Sequence, residues 1–183
     1  MNKSRVQNKK IFARRILYVL LVLITAALQN TPHLFPSVFG CKALLIIPLV
    51  VCMAMFERII PAMIYGLCAG MLWDITVAPG DGYNALMMTV LAVTCSAMIK
   101  YLMRNNLSSA FLLGGCAVVI YMVLHWLFFE VFRSVDGCGI TILTYYLPSA
   151  VYTLLFLPVY YVIIRKFVQK MKYKYPDPVP QGS

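Results

Sequence analysis

The chain of 183 residues is 62% hydrophobic and 12% charged, with a mean hydropathy of +0.82, whereas a soluble domain has about 45–50% apolar and about 25% charged residues. That excess excludes a water-soluble core, and at about 20 residues per crossing a membrane bundle takes up almost all of these residues. The net charge of +10 does not indicate nucleic-acid binding. The Lys and Arg residues gather beside apolar runs, where they set topology and meet anionic lipid headgroups, and do not interleave with aromatics on a soluble face.

The first span is predicted over 11–28, after Lys3, Arg5, Lys9, Lys10, Arg14 and Arg15. Its apolar stretch is longer than a signal-peptide core and no small-x-small site follows, so it is read as a retained helix. Pro32, Pro36 and Gly40 then read as a loop. A second span over 39–56 ends at Glu57-Arg58 and reaches ~27 Å, enough to cross if Lys42 snorkels outward. The third span, 59–77, is closed by a turn at Pro79, Gly80, Asp81 and Gly82. The fourth, 83–99, stops at Lys100 and Arg104. The fifth, 107–132, is broken by Asp136, Gly137, Cys138 and Gly139, and the sixth, 140–164, runs into Arg165, Lys166, Lys170, Lys172 and Lys174. Residues 175–183, with Pro176, Pro178 and Pro180, read as a disordered tail.

The basic residues test this count. With the N-terminus inside, only Lys42 and Arg133 fall on the outer side. Losing one span would put a basic end on the wrong side. The expected fold is therefore all-α: a polytopic membrane protein with six transmembrane helices in one bundle, residues 1–174, in the cytoplasmic membrane with both termini in the cytoplasm.

Within the third span Ala62, Gly66, Gly70 and Asp74 recur every four residues and share one helix stripe. Three small residues allow another backbone to approach closely, and the stripe carries Asp74 into a protein contact ~22 Å along the helix, near the outer interface. Two readings stay open for Asp74: an acid that binds a partner or gates, or a carboxylate that holds the loop after its helix. Glu57-Arg58 reads as an interface pair at a cytoplasmic turn. Glu130 and Arg133, three apart, read as a structural pair, and His125 as an interhelical hydrogen bond or a proton relay.

Gly114-Gly115 suggest a tight crossing, and Pro148 and Pro158 a kink or an opened ladder in the sixth helix. Tyr145, Tyr146, Tyr152, Tyr160 and Tyr161 divide between interfacial belt and core, or form a stacking platform for a flat ligand. The six cysteines form no CxxC pair and no zinc spacing with histidine. Cys41 and Cys138 fall near the outer face, where they can pair. No phosphate loop, HExxH or nucleophile elbow occurs. No catalytic residue, metal ligand or cofactor is therefore assigned.

The segment from Pro61 through Gly66-Leu67-Cys68-Ala69-Gly70-Met71-Leu72-Trp73-Asp74 to Gly82-Tyr83-Asn84-Ala85-Leu86 resembles the rod shape-determining MreD family. Those proteins carry a glycine-rich helix ending in Asp, then a glycine and a short x-x-Ala-Leu start to the next helix. The Pro79-Gly80-Asp81 insert is a departure in the loop. The resemblance implies a non-enzymatic scaffold of the bacterial cell-elongation machinery, binding MreC and helping to position peptidoglycan synthesis. MreB, RodA and a class B penicillin-binding protein would be indirect partners. It makes Ala62, Gly66, Gly70, Asp74 and Gly82 candidate partner-binding residues, while His125, Glu130 and Arg133 are a structural or possible polar site by their own spacing. The bundle is also similar to the substrate-binding S components of energy-coupling-factor vitamin transporters, which supplies the rival function.

Overall fold

A computed structural model describes residues 3–31, 44–77, 82–132 and 145–170. Its elements are α1 (Lys3–Asn30), α2 (Ile46–Phe56), α3 (Ile59–Val77), α4 (Tyr83–Tyr101), α5 (Leu107–Trp126) prolonged by a π-helical turn (Leu127–Val131), and α6 (Leu147–Lys170). No strand occurs among the described residues.

Among the described residues, five stretches are long and apolar enough to cross a bilayer: Ile11–Asn30, Ile59–Thr76, Tyr83–Tyr101, Leu107–Val131 and Leu147–Lys170. Their outer faces are apolar too. Ile16, Leu20 and Leu23 on α1, Ile64, Met71 and Ile75 on α3, Val119 and Val123 on α5, and Val151 and Leu155 on α6 are all exposed. In water such a belt is an aggregation surface, whereas in hydrocarbon it is the ordinary exterior of a bundle. The chain is a multi-pass membrane protein of all-helical fold.

The second expected span, 39–56, takes a different form. Residues 39–43 lie outside the described part, Leu44 and Leu45 precede the helix, and α2 has 11 residues. At 1.5 Å per residue it rises ~16 Å, about half the roughly 30 Å of a hydrocarbon core. Every side chain from Ile46 to Met55 is buried. A helix that is apolar all round has no face to give to water and stands either in lipid or inside the protein. Here α1, α3, α4, α5 and α6 all pack against it.

A short buried helix leaves its end groups inside the protein, where each needs a partner. At its start, Leu44 N–H donates to Thr153 Oγ1 (3.0 Å) and Ile46 N–H to Gln29 Oε1 (3.1 Å). Pro48 stands in the first turn, where its missing N–H forfeits no helical bond. At its end, Asn105 Nδ2 donates to Met55 O (2.8 Å), Ser96 Oγ to Glu57 O (2.9 Å), and Arg14 Nη2 to Phe56 O. Tyr161 Oη lies 3.4 Å from both oxygens of Asn105.

Arg14 also forms an ion pair with Glu57, Nε to Oε1 at 2.7 Å, between side chains 12% and 5% exposed. Burial pushes the Glu57 carboxyl above the usual glutamate range, and the Arg14 charge and the Tyr18 hydrogen bond pull it back only in part.

α3 covers 59–77 and α4 83–101, and the start expected at 140 for the sixth span lies outside the described residues. α1 starts at Lys3 and α6 continues to Lys170. Pro148 sits in the first turn of α6, and the helix continues through Pro158 without a break. Gly114 faces Leu157 of α6 so closely that a Cβ would collide with its Cδ1, whereas Gly115 faces open space. Cys52 and Cys95 are buried, and Cys68 and Cys116 are exposed. The Cys41–Cys138 pairing lies outside the described residues.

Two outcomes are expected. Asn105→Ala leaves the Met55 carbonyl without its donor and should lower stability by about 1–3 kcal/mol, read by unfolding in detergent. Folding raises the Glu57 pKa, so the folded bundle holds that proton more tightly than the unfolded chain does. Its contribution to stability should therefore fall as pH rises from the ordinary value of 4.5 through the raised one. Melting curves across that window should show the slope in the wild type and a weaker one in Glu57→Gln.

Candidate functional site

α3 and α4 form the most intimate helix pair in the molecule. Ala62, Gly66 and Gly70 are buried on the side of α3 that meets α4. A Cβ on Gly66 would stand 2.6 Å from the Met88 carbonyl oxygen and 2.8 Å from Ala92 Cβ. A Cβ on Gly70 would stand 2.5 Å from the Asn84 carbonyl oxygen and would overlap the Ala85 backbone. The stripe expected to receive a partner helix is thus filled by α4 of the same chain. Small residues at this spacing specify close approach, and the neighbouring helix of the hairpin is the nearest backbone to supply it.

Asp74 completes the hairpin. Its Oδ1 accepts from Asn84 N–H (3.2 Å) and its Oδ2 from Ala85 N–H (2.8 Å). These are the second and third residues of α4, whose amides an N-cap side chain ordinarily satisfies. The N-cap here is Gly82, in the left-handed region at φ 70°, with no side chain to offer. Asp74 supplies the missing acceptor from the preceding helix, and its charge faces the positive end of the α4 dipole. A Cβ on Gly82 would meet nothing within 4 Å. Glycine is favoured there by its backbone angle rather than by crowding.

From this cap a polar and aromatic cluster extends across α5 to the start of α6. Tyr121 Oη donates to Asn84 Oδ1 (2.6 Å), and its ring stacks on Trp73 at 5.5 Å between centroids and 20° between planes. The Tyr83 ring contacts Tyr121, His125, Phe128 and Phe129. His125 Nδ1 lies 3.0 Å from Tyr146 Oη, which donates to Glu130 Oε1 at 3.0 Å. A tyrosine hydroxyl has one proton. With that proton on the Glu130 bond, His125 is the donor at Nδ1 in this arrangement. α4 and α5 touch little elsewhere, so these contacts are the main tie between them.

Two atoms of the cluster, Tyr83 Oη and Glu130 Oε2, are buried and meet no hydrogen-bond partner among the described residues. Such orphans are uncommon in native proteins and mark places where a further group belongs.

Of the residues singled out from sequence, the fold brings Asp74, Gly82, His125 and Glu130 to one end of the bundle. Arg133 and its pairing with Glu130 lie outside the described residues. Trp73, Tyr83, Asn84, Tyr121 and Tyr146 were not singled out as site residues for that end. Tyr121 stands four residues before His125, on the same helix face, which is a usable signal. Tyr146 reaches Glu130 only because α6 folds back along α5, and no spacing announces that. Of the other tyrosines, Tyr160 and Tyr161 are buried, Tyr160 sharing a hydrogen bond with Thr25 at 3.1 Å. Among the described residues no three His, Cys, Asp or Glu side chains gather as a metal site.

Comparison of the chain with family models, with curated proteins and with solved structures finds no match.

The hairpin gives a direct expectation. Asp74→Ala removes two acceptors from the α4 amides and should cost about 1–2 kcal/mol. Gly70→Ala pushes a methyl into the α4 backbone and should cost about 1–3 kcal/mol. Both act on one contact, so the double variant should lose less than the sum of the two, as read by equilibrium unfolding in detergent.

Proposed function

We propose that the protein is an MreD-like scaffold of the bacterial cell-elongation machinery, without enzymatic activity of its own. It crosses the cytoplasmic membrane six times, with both termini inside. The observation that carries this reading is the α3–α4 hairpin. The residues between Pro61 and Leu86 that resemble the family are the ones whose backbones interlock at Gly66 and Gly70 and whose rim is tied by Asp74.

Six crossings are supported by the path of α2. It runs from Gln29 to Arg14 on α1, and so returns the chain to the end from which α1 started. Exposed Arg15, Lys100, Arg104, Arg165, Lys166 and Lys170 lie toward that end, which the positive-inside rule assigns to the cytoplasm and its anionic lipids.

In this reading MreC is the direct partner, with MreB, RodA and a class B penicillin-binding protein linked through the assembly. Because α4 occupies the small-residue stripe, Ala62, Gly66, Gly70, Asp74 and Gly82 act on the partner by fixing the shape of the hairpin rim. A rim held by a charged cap and backbone contact presents one conformation, and a partner then binds without the cost of ordering it.

Affinity purification from native membranes in mild detergent, with mass spectrometry of proteins and small molecules, tests this. The expected result is recovery of MreC and wall synthases without a vitamin. Recovery should fall several-fold in Asp74→Ala and stay at the wild-type level in Gly115→Ala, where the added methyl meets open space. Recovery of an ATPase module with a bound vitamin would overturn the scaffold and make the bundle an S component of an energy-coupling-factor transporter.

A further inference from the structure

The Arg14 end of the bundle carries a positive charge that the described residues do not balance. Arg15, Lys100, Arg104, Arg165, Lys166 and Lys170 are all exposed there. Of the three carboxylates among the described residues, Asp74 and Glu130 stand at the opposite end, and Glu57 is taken up by Arg14.

Two of these cations differ from the others in how they are held. Arg104 stands in the turn between α4 and α5. Leu102 and Met103 N–H both donate to Met98 O (2.9 Å each), Asn106 N–H donates to Arg104 O (2.9 Å), and the Asn105 side chain ties the turn to Met55 O at 2.8 Å. Arg165, on α6, has its guanidinium carbon 5.9 Å from the centre of the Tyr161 ring. Tyr161 is itself buried, packs on Phe56 at 5.5 Å between ring centroids, and reaches both oxygens of Asn105 at 3.4 Å. The two arginines therefore flank one contact, Tyr161 with Asn105, and both are anchored to the end of α2. Lys170 has no such anchor among the described residues.

Neither Arg104 nor Arg165 pairs with a carboxylate among the described residues. Like charges held beside one contact repel, and an anion between them removes that cost. Depth says which anion. From Leu147 to Arg165 α6 rises ~27 Å, close to the roughly 30 Å of a hydrocarbon core. Exposed Tyr101, Leu102 and Leu107 adjoin Arg104, and exposed Val162 and Phe167 adjoin Arg165. Both arginines thus leave the hydrocarbon at the plane of the lipid phosphates. A planar guanidinium gives a phosphate two parallel hydrogen bonds, which an ammonium cannot. An acidic protein segment would have to displace lipid from that plane to reach them.

We propose that Arg104 and Arg165 together hold the phosphate of an anionic phospholipid between α6 and the α4–α5 turn. This is a defined site, distinct from the diffuse attraction of basic ends for an anionic surface. It depends on the membrane-spanning fold and not on the scaffold reading, nor on which side of the membrane this end faces.

The test uses the full chain in detergent, incubated with equimolar phosphatidylglycerol and phosphatidylcholine bearing identical acyl chains, with native mass spectrometry reading the retained lipid. The wild type should retain the glycerol lipid over the choline lipid by roughly fivefold, the scale of one charge interaction at a partly exposed site. Arg104→Gln and Arg165→Gln should each remove most of that preference. Lys170→Gln removes the same charge from the same end and should leave it at the wild-type level. Excess inorganic phosphate should not displace the lipid. Equal retention of the two lipids by the wild type would overturn the proposal. So would an equal loss in Lys170→Gln and the arginine variants, which would make the diffuse charge responsible. Displacement by inorganic phosphate would give the site to a free anion and overturn the lipid assignment. The headgroup comparison and the phosphate competition need no variant, so they can overturn the proposal even if a substituted chain fails to fold.

Discussion

The enclosure of α2 is the constraint on which the rest of the bundle depends. An 11-residue helix with every side chain from Ile46 to Met55 buried cannot rest against lipid over its whole length. It cannot end in hydrocarbon either without partners for its amides and carbonyls. The five longer helices supply its walls, and Thr153, Gln29, Asn105, Ser96 and Arg14 supply its end partners. Those five residues come from α1, α4, the turn before α5, and α6. The same hydrogen bonds that complete α2 therefore fix the depth at which its neighbours stand. In a membrane, where packing between apolar surfaces gains little over packing against lipid, such polar contacts carry much of the specification.

The two ends of the bundle are built on different principles. At the Arg14 end a buried ion pair and three carbonyl-directed hydrogen bonds close α2, and no buried side-chain polar atom there is left without a partner among the described residues. At the Asp74 end a carboxylate substitutes for the N-cap that Gly82 lacks, and an aromatic cluster links α3, α4 and α5 to the start of α6. That end also holds both orphaned atoms, Tyr83 Oη and Glu130 Oε2. Incomplete satisfaction is costly in a folded protein and is kept where a further group completes it.

The α3–α4 hairpin shows how one short pattern serves several requirements. Gly66 and Gly70 let the backbones meet, and Ala85 keeps the opposing helix narrow at the contact. Gly82 turns the chain at positive φ, and Asp74 replaces the side chain that glycine cannot offer. Each residue type is the one its position needs.

Apolar runs of about 20 residues and basic clusters determined, without any structure, that the chain is helical and multi-pass, because hydrocarbon imposes helical hydrogen bonding and a minimum length. The stripe of Ala62, Gly66 and Gly70 likewise determined that a backbone comes close. Which backbone it is, α4 rather than a partner, was decided by tertiary structure, since small residues encode distance and not identity. The central place of α2 was equally hidden, because a helix apolar on all sides carries no directional pattern. The meetings of Arg14 with Glu57, of Asn105 with Met55 and of Tyr146 with Glu130 join residues on separate segments of the chain, and hydrophobic periodicity speaks only for one helix at a time.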